Sequence, residues 1–522
     1  MKILDSYINE QKGVQIQEDR LVASEFIKGG STILVQPPLA SVPLPAKRHQ
    51  RCNYCLRKAQ LQCCSRCRSA YFCSNECFRN AWLHFHRVLC EPQETDIYKD
   101  VDADRWLLER TALTLHSHAR LNKQYSHSPT HLPYAIHALQ LHTPTSCTTS
   151  DYNQSTVDAV AQFLEPFDCQ ISSEELSVLW KRIQVCSFPI LDPDQQLEPV
   201  AVGVYPITSL FVGHSCRPNA AVIYKQGTQS IITLEDILPG ESITIAYVDL
   251  ISTKEQRWTE LRKKFGQDYK CDCIRCQGDL ALIDTALEKG ESLGLTADDG
   301  RKLLSENLLS WSILDMLRDA EVREKDSWSP IQVLEPPQFT HFVSRIAFPT
   351  VYYASIDDKK HHNSPSLYKA YVKEDRAHII QRLPAAMTAL LNVPQVPAFT
   401  IATIRAAESL LLEHIAEGNW VKTSRCALYL FVIYRVIYPP FHPKLSYHTL
   451  ILARSGWNAL VEMELIGMER KLERIYANGT RTWIELAKDA IDTTFGRESN
   501  FWRDIIELQW VYDREQKVKG AC

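Results

Sequence analysis

Apolar and polar residues alternate along residues 14–45, for example in VQIQEDRLVASEFI and STILVQ. Alternation with a period of two is typical of strands that bury only one face. A Gly-Gly pair at 29–30 marks a turn between the two segments, and four prolines between 37 and 45 end the second one. The pattern therefore predicts a β-rich N-terminal segment.

Short apolar runs also occupy the middle of the chain, at 203–211 (GVYPITSLF) and from 220 to 249. We interpret both regions as short strands, because the runs are only a few residues long and glycine or proline separates them. Turns are expected at Gly227 and at Pro239-Gly240. The middle of the chain is therefore predicted to return to β structure.

Two further segments before residue 281 have helical spacing. Residues 104–115 (DRWLLERTALTL) predict a helix, and a polar loop is expected over 142–155. Ser252 and Glu255 have the spacing of a capping box, which marks the start of a second helix. The apolar face of that helix is formed by Trp258, Leu261 and Phe265.

The C-terminal part of the chain is predicted to be helical. Apolar residues repeat at helical spacing over 401–415 and over 465–475, and the dipeptides Gly418-Asn419 and Asn478-Gly479 follow as stop signals. No strict fixed-period repeat is present, and 280–400 carries no clear motif. The two apolar faces are Ile401, Ile404, Leu411 and Ile415, and Leu465, Met468, Leu472 and Ile475.

Composition is that of an ordinary globular protein, with 522 residues, 45% apolar and 23% charged, enough for several domains. The first residues, MKILDSYINEQKG, lack the apolar core of a secretory signal. The densest apolar run, ALYLFVIY at 427–434, is far shorter than a membrane span. We therefore expect an intracellular, soluble protein, in the cytoplasm, the nucleus or both, with no membrane contact and as a monomer.

Charge is unevenly distributed. Residues 47–90 contain nine Lys or Arg and one acid, a net charge of +8, and since the whole chain carries −4 the remainder carries −12. A basic segment on an acidic body suits nucleic acid or an acidic protein partner. A solvated basic face without a partner explains the same pattern.

The cysteines are clustered. Eight of the 17 lie between 52 and 90, and three more lie between 271 and 276. Inside a cell such clusters indicate metal rather than disulfides. Short spacings between thiol and imidazole ligands predict two complete structural zinc sites in the first cluster. The spaced pairs are Cys52 and Cys55, Cys64 and Cys67, Cys73 and Cys77, and His86 and Cys90.

The second cluster, YKCDCIRCQG, offers Cys271, Cys273 and Cys276, one ligand short of a tetrahedral zinc site. The fourth ligand must come from elsewhere, and Cys216 in the segment FVGHSCRPNA is a candidate. Spacing alone leaves other cysteines open as candidates. They are Cys63, Cys147, Cys169, Cys186, Cys426 and Cys522.

The first cluster, with YFC at 71–73 and AW at 81–82, resembles the MYND zinc finger. In that family the pairs interleave, so the first and third pairs share one ion and the second and fourth share the other. Cys63 and His84 are alternative ligands, but Cys64 and His86 keep the expected spacings, although the gap before His86 is one residue longer than usual. The implied sets are Cys52, Cys55, Cys73 and Cys77, and Cys64, Cys67, His86 and Cys90.

The segment GVYPITSLFVGHSCRPNA resembles the NHSCxPN motif of SET domains. The segment ITIAYVDLISTKEQRWTELRKKF, followed by CxCxxC, resembles the strand, helix and post-SET cluster of the same family. A MYND finger inserted in a SET domain is typical of SMYD-type protein lysine methyltransferases, and the resemblance covers about 15–280. It implies that Cys216 completes a third zinc site with Cys271, Cys273 and Cys276.

The resemblance implies an α+β fold: a β-rich SET domain interrupted by a MYND finger, then a post-SET zinc cluster and an all-α, TPR-like C-terminal domain. The expected boundaries are 1–50 for the N-terminal part of the SET domain, 51–90 for the finger, 91–170 for a partly helical insert, 171–250 for the C-terminal SET core, 251–280 for the post-SET segment and 281–522 for the helical domain.

The implied activity is transfer of a methyl group from S-adenosylmethionine to a lysine of a protein, with histones among the candidates. Tyr247 matches the catalytic tyrosine, Tyr269 matches the aromatic residue that packs against adenine, and His214 matches the histidine whose backbone meets the cofactor. The implied partners are a lysine-bearing protein substrate and a proline-containing peptide at the finger. The basic charge permits DNA contact but does not favour it.

Several positions depart from the family pattern around the cofactor. Glu18 and Arg20 replace two glycines, Cys186 and Gly213 each replace an asparagine, and Gln267 replaces an aromatic residue. Gly213 therefore lies at a cofactor position without the amide that would bind the ligand. The alternative interpretation is a SET-fold pseudoenzyme that acts as a protein-interaction scaffold. The substrate and the methylation state stay open.

Overall fold

A computed structural model gives the fold of the chain. The described residues are 2–92, 98, 100–124, 131–143, 151–165, 171–192, 197–278, 280–292, 296–308, 400–465 and 470–520. Cys147, Cys169, Met468 and Cys522, and nearly all of the unassigned stretch 280–400 beyond residue 308, lie outside them.

The N-terminal segment is β-rich, as the alternation predicts. A short helix precedes four strands, and the first two strands form a tight antiparallel hairpin in which Val14 pairs with Ala23. Gly30 makes the predicted turn with φ +84°, which glycine adopts without a steric penalty. These elements are α1 (Lys2–Asn9), β1 (Val14–Gln17), β2 (Arg20–Ala23), β3 (Thr32–Gln36) and β4 (Ala40–Pro43).

The cysteine-rich segment that follows has little regular structure. Ser74 caps its first helix, because its hydroxyl accepts a hydrogen bond from the Cys77 amide at 3.2 Å. A π-helical turn, Trp82–His86, follows directly and leads into the last short helix. The elements are a 3-10 turn (Pro45–Lys47), β5 (Gln62–Cys63), β6 (Tyr71–Phe72), α2 (Asn75–Ala81) and α3 (Arg87–Leu89).

Four helices form the insert before the second half of the β structure. The helix predicted over 104–115 is confirmed and is longer than predicted. The loop predicted over 142–155 is too long, because a helix begins at Asp151 and buries Val157 and Val160. The helices are α4 (Ala103–Gln124), α5 (Leu132–Leu141), α6 (Asp151–Leu164) and α7 (Ser173–Cys186).

The second half of the β structure contains the predicted turns, with φ +80° at Gly227 and +83° at Gly240. The strand predicted over 203–211 is wrong beyond Val204: Pro206 occupies the first turn of a helix, where its missing N–H costs nothing. The elements are β7 (Ser187–Asp192), β8 (Glu198–Val204), α8 (Pro206–Phe211), β9 (Gly213–His214), β10 (Ala220–Lys225), β11 (Thr228–Thr233) and β12 (Thr244–Ile245).

The strands form small sheets that link distant parts of the chain. The orders are β4-β8-β7 and β10-β11-β3, so strands on both sides of the cysteine-rich segment pair with one another. A parallel pair, β9 with β12, places Gly213 opposite Thr244 and His214 opposite Ile245. This pair joins the two segments that carry the candidate active-site residues.

A helix leads from β12 to the second cysteine cluster. It begins after Thr253, whose hydroxyl accepts a hydrogen bond from the backbone amide of Gln256. The side chain of Gln256 in turn accepts a hydrogen bond from the backbone amide of Thr253. The predicted box of Ser252 and Glu255 is therefore wrong by one residue, and the adjacent Thr-x-x-Gln has equally suitable chemistry. The elements are α9 (Lys254–Phe265) and α10 (Ile274–Gln277).

The C-terminal region is all-helical. The predicted stop at Gly418 is confirmed by its left-handed φ of +70°. The stop predicted at Asn478-Gly479 is wrong: a helix runs through it, and the apolar repeat over 465–475 spans two helices. The helices are α11 (Ala281–Ser292), α12 (Ala297–Leu308), α13 (Ile401–Glu417), α14 (Trp420–Ile437), α15 (Pro443–Leu465), α16 (Arg470–Phe495) and α17 (Asn500–Gly520).

The largest buried cluster is continuous from Cys216 and Cys271 through Leu280 to Trp457 in α15 and Tyr512 in α17. The second cysteine cluster therefore packs against the helical region rather than standing apart from it. No helix among the described residues combines the length and apolar character that crossing a bilayer requires. The fold is α+β with a helical C-terminal region, as predicted.

Candidate active site and metal centres

The first group of cysteines comes together as expected from the interleaved pairs. One ligand atom from each of Cys52, Cys55, Cys73 and Cys77 lies within 4.8 Å of the others. The Sγ atoms of Cys55 and Cys73 are 3.6 Å apart, and those of Cys73 and Cys77 are 3.5 Å apart.

The second group contains Cys64, Cys67, His86 and Cys90, and all four residues are buried. The Sγ atoms of Cys64 and Cys90 are 3.6 Å apart, and Nε2 of His86 is 3.8 Å from Sγ of Cys67. Burial lowers the pKa of His86 to about 4, so the ring is neutral at physiological pH. A neutral imidazole is the form that binds a metal ion.

These distances suit zinc. With Zn–S bonds of about 2.3 Å, a tetrahedral site places its sulfur atoms about 3.7 Å apart. A disulfide would place two of them at about 2.05 Å, whereas these cysteines are free thiols. Both groups therefore have the donor types and the spacing of a structural zinc site.

The structure separates the alternative ligands from these groups. Cys63 is exposed, and its Sγ donates to the carbonyl of Cys64 at 3.7 Å, outside the groups of converging ligand atoms. His84 faces Tyr54, with ring centroids 5.8 Å apart. The π-helical turn contains both His84 and His86. A π turn holds one residue more than an α turn, which explains how the longer gap before His86 is accommodated.

The third group joins Cys216 of the HSCRPN segment to the second cysteine cluster. Cys216, Cys271, Cys273 and Cys276 lie within the same 4.8 Å limit. The Sγ atoms of Cys216 and Cys276 are 3.6 Å apart, and the amide of Cys216 donates to Sγ of Cys273 at 3.4 Å. Cys186 and Cys426 are buried elsewhere.

A fully buried arginine supports this third group. Arg257 donates from Nε to Sγ of Cys216 at 3.3 Å and holds both carboxylate oxygens of Asp284, at 3.0 and 2.5 Å. Arg275, also buried, binds the same carboxylate. Hydrogen bonds from a cation stabilise thiolate, the form that binds zinc. The sequence offered no signal for this contact.

The strand pair β9–β12 builds the candidate active site. The amide of Gly213 donates to Ile243 O at 3.2 Å. Asn219 reinforces the pairing: its Nδ2 donates to Ser242 O at 2.9 Å and its Oδ1 accepts from the Thr244 amide at 2.8 Å. The asparagine of the HSCRPN motif therefore fixes the distance between the histidine segment and the tyrosine segment.

Tyr247 lies at the end of this strand pair. Its hydroxyl donates to Val212 O at 2.9 Å, and its amide donates to Nδ1 of His214 at 3.2 Å. Burial raises the pKa of Tyr247 well above its usual range, so the hydroxyl stays protonated. The group can therefore serve as a fixed, neutral hydrogen-bonding group rather than as a base.

Aromatic rings surround Tyr247. Phe188 lies 5.4 Å away and Phe265 lies 5.2 Å away between ring centroids, and Phe265 also packs on Tyr269 at 4.8 Å. Gln267, which stands where the family resemblance implies an aromatic residue, has an exposed side chain. Phe265, two residues earlier, supplies an aromatic wall instead, and sequence reasoning missed it as a site residue.

A lysine lies within the same pocket. The Nζ atom of Lys264 is 4.5 Å from the ring centroid of Phe188 and 5.0 Å from that of Tyr247. It donates to the carbonyl of Ser187 at 3.1 Å. The sequence placed Lys264 in a basic run at the end of a helix, with no sign that it points inward.

The other departures from the family pattern occupy different surroundings. Glu18 and Asp19 form the two-residue turn between β1 and β2 with φ of +49° and +58°, and both side chains are exposed. Cys186 is fully buried at the end of α7, and burial raises its pKa to about 12. Gly213 has room for a Cβ atom, with its nearest neighbour, Thr244 Cγ2, at 3.6 Å.

These observations separate the two kinds of ligand. The three cysteine groups fit zinc in donor type and in spacing. The pocket at Tyr247 offers S-adenosylmethionine a tyrosine hydroxyl and aromatic walls, with His214 and Tyr269 beside them, together with a positive charge that a cationic sulfonium does not favour. The charge in that pocket comes from Lys264.

Comparison with known proteins agrees with this geometry. Residues 20–248 match the SET domain family. N-lysine methyltransferase SMYD2 of Homo sapiens is 27% identical over 250 residues, which are 47% of this chain and 55% of that protein. Histone-lysine N-methyltransferase SMYD3 of Homo sapiens is 29% identical over 264 residues, 48% of this chain and 57% of that protein.

Residues 20–248, which contain the paired strands and the motif residues, are similar to the SET domain family. The relatives SMYD2 and SMYD3 give the chain its likeness to SMYD-type proteins, and its interleaved cysteine groups lie within the matched residues. The chain spans about half the length of these relatives, 55% and 57%. The similarity therefore covers the SET part rather than the whole protein.

Proposed function

We propose that the protein is a lysine N-methyltransferase that transfers a methyl group from S-adenosylmethionine to a lysine of another protein. The observation that carries the proposal is the protonated hydroxyl of Tyr247, fixed by Val212 O between aromatic walls. SMYD2 and SMYD3, by their names, are lysine methyltransferases. The proposed substrate class is a lysine-bearing protein, with histones among the candidates.

The roles of the residues follow from their chemistry. S-adenosylmethionine supplies an activated methyl group when bound. Tyr247 orients the amine with its hydroxyl, while Phe188 and Phe265 exclude water and disfavour the ammonium form of the incoming lysine. Gly213, His214 and Tyr269 are the proposed cofactor-binding residues, the last through its ring.

Three zinc ions are proposed, one in each cysteine group. Those in the finger stabilise a segment that is too small to bury an adequate core. The third holds the segment with Tyr269 against Cys216, and so positions the pocket. The predicted boundaries at 50, 90, 170, 250 and 280, and the TPR-like character of the last domain, stay part of the proposal, as do an intracellular location and a monomeric state.

The finger is proposed to bind a proline-containing peptide. Its basic charge also permits contact with DNA, which would weaken steeply with salt because phosphate contacts release counterions. The full chain should bind a proline-rich peptide at physiological salt and lose any DNA binding as salt rises. Sequence-selective DNA binding that resists salt would overturn this part of the proposal.

A methyl-transfer assay tests the activity. The zinc-loaded chain is incubated with isotope-labelled S-adenosylmethionine and a panel of lysine-rich proteins, and Tyr247→Phe is the matched variant. We expect transfer by the wild type and none by Tyr247→Phe, with cofactor binding unchanged, because only the orienting hydroxyl is lost. Equal transfer by both proteins would remove Tyr247 from the mechanism.

The second candidate function is a scaffold without transfer activity. The specific observations in its favour are the lost amide at Gly213 and the lysine cation beside Tyr247. Calorimetry with S-adenosylmethionine separates the two candidates. Absence of binding by a folded, zinc-loaded chain would favour the scaffold.

A further inference from the structure

The last turn of α9 places a cation inside the candidate active site. Lys264 extends past the ring of Phe188, 4.5 Å from Nζ, to the ring of Tyr247, 5.0 Å from Nζ. Its Nζ atom donates a hydrogen bond to the carbonyl of Ser187 at 3.1 Å. The neighbouring Lys263 points outward and pairs with Glu260 on the surface. The two adjacent lysines therefore have different surroundings.

Among the residues that the structure describes, the groups around this cation are neutral or positively charged. The titratable groups that face it are the Cys186 thiol at the end of α7, the Tyr247 hydroxyl and the His142 ring after α5, and Arg182 of α7 adds a further positive charge nearby. Within the described parts of the chain, no carboxylate forms an ion pair with Lys264. Burial lowers the pKa of Lys264 to about 8, so most of it is still charged at pH 7.

This charge bears on what the pocket binds. The methyl group of S-adenosylmethionine is attached to a positively charged sulfur, and Tyr247 must contact the reacting centre. A sulfonium whose methyl group reached Tyr247 would lie in the same surroundings as the ammonium of Lys264, whose Nζ is 5.0 Å from the centroid of the Tyr247 ring. Two like charges at such a distance, in surroundings of low polarity, repel strongly. S-adenosylhomocysteine has a neutral sulfur and avoids this repulsion.

We propose that Lys264 is a specificity-determining residue of the methyl-donor pocket, which disfavours the cationic sulfonium form of the cofactor relative to the neutral thioether. The inference rests on the proposed function, because it takes the pocket beside Tyr247 as the cofactor site. It extends that function by assigning charge selection to a residue outside the motifs. The protein would then be held mainly in the thioether-bound or empty state at equal ligand concentrations.

The experiment compares dissociation constants by calorimetry on the full, zinc-loaded chain. The ligands are S-adenosylmethionine and S-adenosylhomocysteine. The quantity compared between variants is the dissociation constant of S-adenosylmethionine divided by that of S-adenosylhomocysteine. For wild type we expect at least a tenfold preference for S-adenosylhomocysteine. Lys264→Met, which keeps the stem and removes the charge, should lower that ratio at least fivefold.

Two control variants isolate the charge. Lys264→Arg keeps a cation at the same place and should keep the wild-type ratio. Lys263→Met removes the same charge from the adjacent surface position and should also keep it. A fall in the ratio with Lys263→Met as large as with Lys264→Met would show a general charge effect, which would overturn the inference.

The remaining outcomes separate the inference from the proposed function. An unchanged ratio in Lys264→Met, with both ligands bound, overturns the inference and leaves the proposed cofactor site in place. Failure of both ligands to bind any folded variant overturns the proposed cofactor site, and the inference with it. Sinefungin, whose amine is positively charged at the sulfur position, should behave like S-adenosylmethionine throughout.

A labelling measurement covers the case in which Lys264→Met does not fold. Reductive methylation with formaldehyde and borohydride modifies accessible amines, and mass spectrometry follows each lysine of the wild-type chain. Lys264 should react at least tenfold more slowly than Lys263, and saturating S-adenosylhomocysteine should slow it further. Equal rates at the two lysines would place the ammonium in solvent and overturn the inference.

Discussion

The side chain of Arg257 donates a hydrogen bond from Nε to Sγ of Cys216 across 3.3 Å. A buried guanidinium in contact with a thiol makes sense where that thiol is ionised, because charge-assisted hydrogen bonds stabilise the thiolate. Asp284 balances the guanidinium from the opposite side. The third cysteine group is therefore prepared for a metal ion by the protein around it.

Replacing Cys216 by serine should lower the zinc content of the chain from about three ions to about two. The third site would keep only three thiolates, and a hydroxyl is a poor substitute for a soft zinc ligand. Elemental analysis of tag-free protein measures the ratio. Cys63→Ser is the matched control, since Cys63 is exposed and outside all three groups. A ratio that stayed at three in Cys216→Ser would show that Cys216 is not a ligand.

Replacing Arg257 by methionine should weaken the third zinc site and destabilise the fold. Loss of a side chain that supports metal ligands typically costs about ten- to a hundredfold in metal affinity. Removing one partner of a buried ion pair costs about 3–5 kcal/mol, here reduced because Arg275 still binds Asp284. Competition with a chelator gives the affinity, and thermal unfolding gives the stability. Arg262→Met, on the more exposed side of the same helix, should change neither.

Gly213→Asn should strengthen binding of S-adenosylmethionine. The substitution restores the amide expected at this position, and one neutral hydrogen bond contributes about 0.5–1.5 kcal/mol, or about two- to tenfold in affinity. The backbone tolerates it, because the nearest atom to a new Cβ is 3.6 Å away. Calorimetry measures the change. Gly213→Ala, which adds the Cβ without the amide, should bind like wild type.

The combined Gly213→Asn and Cys186→Asn variant is a less clear test than the single substitution. Cys186 is fully buried, so an asparagine there must bury an amide. An unsatisfied buried amide costs about 1–3 kcal/mol, and the loss of stability would obscure any gain in binding.

The buried pair of Tyr98 and Glu109 should make stability depend on pH. Burial raises the pKa of Glu109 to about 7, against the opposing hydrogen bond from Tyr98 at 2.8 Å. A carboxyl whose folded pKa is raised stabilises the fold fully below its unfolded pKa of about 4.5, and this contribution is lost as pH rises through 7. Stability of wild type relative to Glu109→Gln should fall by about 2 kcal/mol between pH 5 and pH 8. Thermal unfolding of both proteins measures it.

The exposed Glu25 provides the control variant, Glu25→Gln, which removes a surface carboxylate and is compared with wild type over the same pH range. Each comparison of stability is between two proteins with the same zinc ligands, so the effect of pH on those ligands cancels. If the difference in stability between wild type and Glu109→Gln did not change with pH, Glu109 would not be protonated in the folded protein.

Spacing along the chain predicted the features that depend on short segments. The alternating strands before Pro45, the left-handed stop at Gly418 and the pairing of Cys64 with Cys67 all require residues only a few positions apart. Family resemblance supplied the longer connections, such as Cys216 with Cys271. The helix at 206–211 was missed because Pro206 looks like a strand ending and also suits a first helical turn.

Residues that act through three-dimensional placement were not predictable. Phe265 packs on Tyr247 from the last turn of α9, which ends at Gly266 with a φ of +106°. Lys264 points inward from the same helical turn, although Arg262 and Lys263 before it are equally basic. Asn219 belongs to the HSCRPN motif, but nothing in the motif indicates that its side chain joins two strands.

The π-helical turn at Trp82–His86 has a consequence for how such fingers change over time. A helix that holds one surplus residue in a widened turn, with Leu83 half exposed on its outside, absorbs a single-codon insertion without moving the residues on either side. His86 reaches its place beside Cys67 all the same. The geometry of the metal ligands can therefore persist while the number of residues between Cys77 and His86 changes.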